Sequence, residues 1–126
     1  MTLALVPWIV LAGGAGALVR YLAISALPMT TSRPFPRGVL VANLLGSLIA
    51  GITLGLVSRS LISMDGALIV WVGFCGGLTT FSTVAVETVL IGREAPRRAW
   101  GNIGVTVVAG CASAAVGFAL INLLGA

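Results

Sequence analysis

The sequence predicts an all-α integral membrane protein of four transmembrane helices, the third of them broken. Three observations carry that prediction. Of 126 residues, 59% are hydrophobic and only 8% charged, with a mean hydropathy of +1.16, far outside the range of water-soluble domains. Almost all charges fall in short gaps between apolar stretches, near residues 3–27, 39–57, 64–90 and 99–124, each long enough to cross a bilayer. The third stretch is interrupted by Gly76-Gly77 and then by the hydroxyls of Thr79, Thr80, Ser82 and Thr83 around Phe81. A chain of this length holds a single domain and no separate soluble unit for chemistry.

Span one, read as a retained first helix because no basic segment precedes its apolar run, carries Gly13-Gly14-Ala15-Gly16-Ala17. Such a small-residue patch lets another helix approach closely. Arg20 lies inside its far end, too deep to be without cost. Snorkelling to the interface is its expected resolution, and a carboxylate or backbone carbonyl is the alternative. Pro28, Pro34 and Pro36 then exclude a continuous helix, so residues 28–38, with Arg33 and Arg37, form loop one.

Span two presents Asn43, Gly46, Ser47, Ala50 and Thr53 at spacings of three and four, a stripe on one helical face that should meet protein rather than lipid. Asn43 is its only amide. A primary amide in hydrocarbon either binds helices together or serves a permeant species, and residue type leaves both open. Gly51 and Gly55 suit a tight crossing. The link over residues 58–63 holds Arg59, and Asp65 in the first turn of span three is expected to cap that helix.

Where a membrane helix breaks, carbonyls ending the first half and N–H groups opening the second lose their partners, which is tolerable only inside protein or beside water. Carbonyl oxygens suit a hard cation, and the N-terminal end of the second half suits an anion. The clustering of hydroxyls after Gly76-Gly77 favours this reading over a simple packing kink. Beyond the break Thr79, Thr83 and Glu87 recur every fourth residue, and Phe81 and Val84 share another face. Glu87 is an intramembrane carboxylate, expected to be functional or paired with an arginine. Residues 92–98 read as loop three, and span four carries a second small and polar stripe of Asn102, Thr106, Gly110, Ser113 and Gly117.

Composition also excludes function classes. With no histidine and with Asp65, Glu87 and Glu94 spread along the chain, neither a catalytic triad nor a zinc site can be assembled from one copy. Cys75 and Cys111 lack metal-ligand spacing and read as buried apolar packing. The net charge of +4 comes from arginines near helix ends, which read as topology signals and headgroup contacts, not as a nucleic-acid surface. Three polar faces on four spans do not enclose a pore, so self-association or a partner is implied.

These residues resemble the small four-span fluoride channels of the Fluc or CrcB type. The resemblance rests on Gly76-Gly77-Leu78-Thr79-Thr80-Phe81-Ser82-Thr83 with Glu87, on Gly13-Gly14-Ala15-Gly16-Ala17 followed by Arg20-Tyr21, on Gly38-Val39-Leu40-Val41-Ala42-Asn43-Leu44-Leu45-Gly46, and on the spacing from Asn102 to Gly117. It covers essentially the whole chain. It implies an antiparallel, dual-topology dimer in the cell membrane, with a structural Na+ at its centre held by the backbone carbonyls of Gly76 and Thr79. It also implies fluoride pathways lined by Asn43, Phe81, Ser82, Thr83 and Thr106, with Arg20 and Glu87 as supporting charges. Amide N–H groups, hydroxyls and phenyl edges can replace the water of a small, strongly hydrated anion. Val39, Val84 and Ala85 depart from the family's usual threonine, second phenylalanine and serine, and each removes a donor or a ring edge.

Arg33, Arg37, Arg93, Arg97 and Arg98, with Arg20 leaning to the same side, belong to loops one and three, against Arg59 alone on the other side. The positive-inside rule then puts both termini outside and favours a heterodimer whose partner inserts the other way up. The leading expectation is a passive fluoride-selective channel, or an obligate subunit of one, that exports fluoride. A second is a non-conducting structural partner in a heterodimeric channel. A distant third, a proton-coupled multidrug exporter, lacks the first-span carboxylate which that class uses.

Overall fold

The computed structural model describes residues 3–32 and 34–125. Arg33, counted above among the loop-one charges, lies outside the described residues. Four helical segments, Leu3–Ala26, Arg37–Ser58, Met64–Glu94 and Pro96–Leu124, are long and apolar enough to cross a membrane. The described residues form no strand.

A 3-10 turn, Leu3–Leu5, leads into α1 (Val6–Ala26), which carries proline in its first turn, where the missing N–H has no helical partner to lose. Helix α2 (Arg37–Ser58) begins directly after Pro36, slightly earlier than residue 39. Helix α3 (Met64–Leu68) is capped by Ser63, whose hydroxyl accepts the Gly66 N–H at 3.2 Å. The expected cap, Asp65, instead sits within the first turn, where a carboxylate still complements the helix dipole. A π-helical segment, Ile69–Cys75, passes into the short α4 (Gly76–Leu78), and α5 (Phe81–Glu94) follows two extended residues. Residues 92–98, expected as a loop, are helical except for Ala95. The α5 helix runs to Glu94, and Pro96 opens α6 (Pro96–Leu124) at a position where proline is well tolerated.

The most extensive contact pairs α2 with α6, and glycines make it close. A Cβ on Gly51 would collide with the Ala114 carbonyl oxygen, and one on Gly117 with the Leu48 carbonyl oxygen. Across the same seam Ser113 Oγ donates to the Leu44 carbonyl at 2.9 Å. The stripes predicted on spans two and four thus face protein, and Asn102, only 1% exposed, donates to Thr88 Oγ1 at 2.9 Å. On the other side α1 packs on residues 69–78: a Cβ on Gly16 would strike the Phe74 carbonyl oxygen, and one on Gly77 the Gly13 carbonyl oxygen. Cys75 is buried, as expected, whereas Cys111 is exposed, one position off the inward-facing stripe of α6.

The helices alternate in direction. Met29, Pro34, Leu90, Arg93 and Arg98 line a shared cleft of about 810 Å³, so loops one and three meet at one end. At the other end Arg59 donates to the carbonyls of Ile121 and Asn122, both at 3.3 Å, and to that of Gly125. A cation there complements the C-terminal end of α6.

Candidate functional site

Helical geometry stops at Leu78. Thr79 (φ −83°, ψ 157°) and Thr80 (φ −150°, ψ 122°) are extended, midway along the Met64–Glu94 segment. The cause is local. Thr80 Oγ1 accepts the Thr83 N–H at 3.3 Å as the N-cap of α5, and an N-cap residue takes extended, not helical, dihedrals. From α2, Asn43 clasps the main chain of Thr80 on both sides: Thr80 N–H donates to Asn43 Oδ1 at 2.8 Å, and Asn43 Nδ2 donates to the Thr80 carbonyl at 3.1 Å.

These bonds divert two donors. In a continuous helix the Thr80 N–H would serve the Gly76 carbonyl and the Thr83 N–H would serve the Thr79 carbonyl. The Thr79 carbonyl instead accepts from Arg20 Nη1 at 3.0 Å. Arg20 therefore does not snorkel. It is half-buried, and a freed carbonyl within reach satisfies a guanidinium without carrying it to the interface. Thr79 itself stays tied to the preceding turn, donating through both its N–H and its hydroxyl to the Cys75 carbonyl, each at 2.9 Å.

The junction opens on a groove of about 430 Å³ on the outer face of the chain, with Asn43, Thr79, Thr80, Phe81, Val84 and Thr106 among its walls. Three of the expected pathway residues, Asn43, Phe81 and Thr106, thus come together. Phe81 is 84% exposed while Val84 is 5% exposed, so the aromatic ring stands off the surface and the valine lies within it. Ser82 and Thr83 do not line this groove. They join it through Thr80 Oγ1, which lies 3.3 Å from Ser82 Oγ and 3.0 Å from Thr83 Oγ1. Gly76 is exposed nearby. Glu87 Oε2 is buried without a hydrogen-bond partner, and the expected arginine pair does not form among the described residues. Arg20 and Arg59 both bond to main-chain carbonyls instead.

Sequence reasoning missed Thr80 as the hub of the junction. The signal was there in Thr80-x-x-Thr83 after a glycine pair, a helix-start pattern. It also missed the π-helical turn over Ile69–Cys75, where Trp71 Nε1 donates to the Ala50 carbonyl at 3.1 Å. No cluster of His, Cys, Asp or Glu that could hold a metal occurs among the described residues.

A family profile described as CrcB-like protein, Camphor Resistance (CrcB), matches residues 7–118. The chain belongs to the CrcB family. That match spans every site residue from Arg20 to Thr106. The CrcB chain is 40% identical over 124 residues to a protein of Mycolicibacterium paratuberculosis named fluoride-specific ion channel FluC 2, covering 98% of each. It is 40% identical over 113 residues to fluoride-specific ion channel FluC 1 of Yersinia pestis, covering 87% of each. With fluoride-specific ion channel FluC of Pyrococcus furiosus it shares 41% identity over 95 residues, covering 75% of this chain and 76% of the relative. These relatives are named as channels, not enzymes. Four apolar helices in a CrcB chain with such relatives make it a multi-pass membrane protein.

Proposed function

We propose that this chain is a fluoride-selective channel, or an obligate subunit of one, that lets the anion leave the cell passively across the plasma membrane. The relatives' names support the substrate. The observation that carries the reading is the groove at the Thr79–Thr80 junction, where an amide, a hydroxyl and an aromatic edge converge in an otherwise apolar segment. Fluoride gives up its water only to a series of donors. The Asn43 amide has two hydrogens; one goes to the Thr80 carbonyl, which leaves the second for the groove. The Thr106 hydroxyl and the electropositive rim of Phe81 can meet the same anion. Thr80 Oγ1 has two lone pairs and one already accepts the Thr83 N–H, so it can accept from only one of the Ser82 and Thr83 hydroxyls, and the other keeps its hydrogen for donation onward. Arg20 and Glu87 are supporting charges flanking this track.

The groove is open on the outer face, which supports a second subunit as its missing wall. Opposed orientation of the two subunits and outward-facing termini remain part of this proposal, supported by the arginine bias towards loops one and three. The numbered names FluC 1 and FluC 2 among the relatives support a paralogue as the partner. A structural Na+ at the dimer centre fits the main chain. The Gly76 carbonyl has lost the Thr80 N–H to Asn43, and Gly76 is exposed on the surface. The Thr79 carbonyl keeps one lone pair beyond that used by Arg20. These oxygens would hold the ion, whose charge would draw the facing carbonyl ends of two copies together.

A second reading, a non-conducting partner that supplies only the dimer face, is favoured by Val39 and Val84. Both are buried hydrocarbon, 2% and 5% exposed, with nothing to offer an anion. Fluoride efflux from liposomes decides between them. The channel reading expects flux from this chain, alone or with a paralogue, that is lost with Asn43→Ala in this chain. Flux from the paired channel that ignores Asn43→Ala selects the structural partner, and no flux in any combination refutes both.

A further inference from the structure

We propose that Arg20 weakens the sodium site by sharing the Thr79 carbonyl oxygen with the metal. The inference rests on the sodium reading above and goes beyond it by assigning a residue that sets the ion's affinity. Arg20 comes from α1, far along the chain, yet its Nη1 lies 3.0 Å from the Thr79 carbonyl oxygen at mid-span. That oxygen is available because the Thr83 N–H, its helical partner, is taken by Thr80 Oγ1.

A guanidinium is always charged. A sodium ion on the other lone pair of the same oxygen would stand one atom away from a fixed positive charge, in a low-dielectric setting where like charges repel strongly. The same hydrogen bond also draws electron density from the oxygen that must bind the metal. The Gly76 carbonyl has no such competitor: its natural donor, the Thr80 N–H, is held by Asn43 Oδ1. The two carbonyls are therefore unequal, with Gly76 the stronger sodium ligand and Thr79 the one tuned by Arg20.

The test uses the purified full-length chain, in detergent, assembled as it assembles for fluoride transport. The unfolding temperature is followed against NaCl, with N-methylglucamine chloride keeping the ionic strength constant. R20Q and R20M remove the charge, and R20K keeps it. The half-saturating sodium concentration should fall at least about tenfold in either neutral variant and stay within about threefold of the parent in R20K. Either neutral variant that folds decides the matter. A brace with no electrostatic part would lower the unfolding temperature at every sodium concentration and leave half-saturation where it was. That result, or a rise in half-saturation, overturns the proposal. A parent protein that ignores sodium altogether while its liposomes still pass fluoride refutes the sodium site and this inference together, and leaves the channel reading standing.

Discussion

Asn43 illustrates how a single side chain can serve both of the roles that its residue type allowed. Its Oδ1 and one hydrogen of Nδ2 hold the Thr80 main chain, and the second Nδ2 hydrogen faces the groove in the proposed pathway. Asn43→Ala should therefore leave the Thr80 N–H in apolar surroundings without a partner, while the Thr80 carbonyl keeps the first helical bond of α5. Such a group costs about 1–3 kcal/mol, so a clear drop in thermal unfolding in micelles is expected along with lost efflux. Thr80 separates capping from the rest. Thr80→Val keeps the shape but removes the cap of α5, a loss of about 0.5–2 kcal/mol, and Thr80→Ser should recover most of it. Equal stability of the valine and serine variants would remove Thr80 from its place as hub. At this scale the sequence made Asn43 conspicuous, because an amide in hydrocarbon demands an explanation. It hid Thr80 among four hydroxyls, because an N-cap is defined by where helical dihedrals cease. Arg20 was visible as a problem, with a backbone carbonyl among its alternatives, but which carbonyl was not legible, since that of Thr79 becomes available only when Thr79 and Thr80 extend.

At the scale of elements, hydrophobic length alone located the four helices, and small residues at helical spacing marked the faces along which they meet. The contacts explain why: at Gly51 and Gly77 the facing atom is a backbone carbonyl oxygen, which cannot rotate away as a side chain can. Gly51→Ala and Gly77→Ala should each destabilise the fold by roughly 1–3 kcal/mol through overpacking. Gly14→Ala, which meets nothing within 4 Å, should be neutral or stabilising by up to about 1 kcal/mol. Unfolding of the three variants in mixed micelles tests that order, and a Gly77→Ala protein as stable as Gly14→Ala would contradict the close approach of α1. Boundaries were less legible. Residues 92–98 carry a proline and four charges, which read as a loop, yet Arg and Glu are good helix formers and proline suits a first turn. The π-helical turn over Ile69–Cys75 left no sequence signal, because a shift of one residue in hydrogen-bond register changes no hydrophobic pattern.

For the whole molecule, the sequence called for a second subunit, and the open groove is where the proposal puts it. Three polar faces on four helices pointed to a partner, and the groove bearing Asn43, Phe81 and Thr106 opens outward with no wall opposite. The distribution of charge bears on what that wall can be. Arg37, Arg93, Arg97 and Arg98 lie at the end where loops one and three meet, and Arg59 at the other end is engaged with the last carbonyls of α6. An arginine already bound to a helix C-terminus leaves little free charge to oppose the bias, so the chain should insert in one orientation with loops one and three in the cytoplasm. Tags on both termini should then be reachable from outside intact cells in nearly every molecule. A chain inserted in one orientation cannot supply its own inverted partner within that membrane, so cells expressing it alone should release fluoride slowly or not at all. Adding an oppositely biased paralogue should restore efflux. Lowering the bias by Arg97→Glu and Arg98→Glu, which leaves Arg33, Arg37 and Arg93 against Arg59, should place some copies the other way up and let the chain begin to conduct alone. Equal inward and outward populations of the unmodified chain would refute the fixed orientation and favour a homodimer.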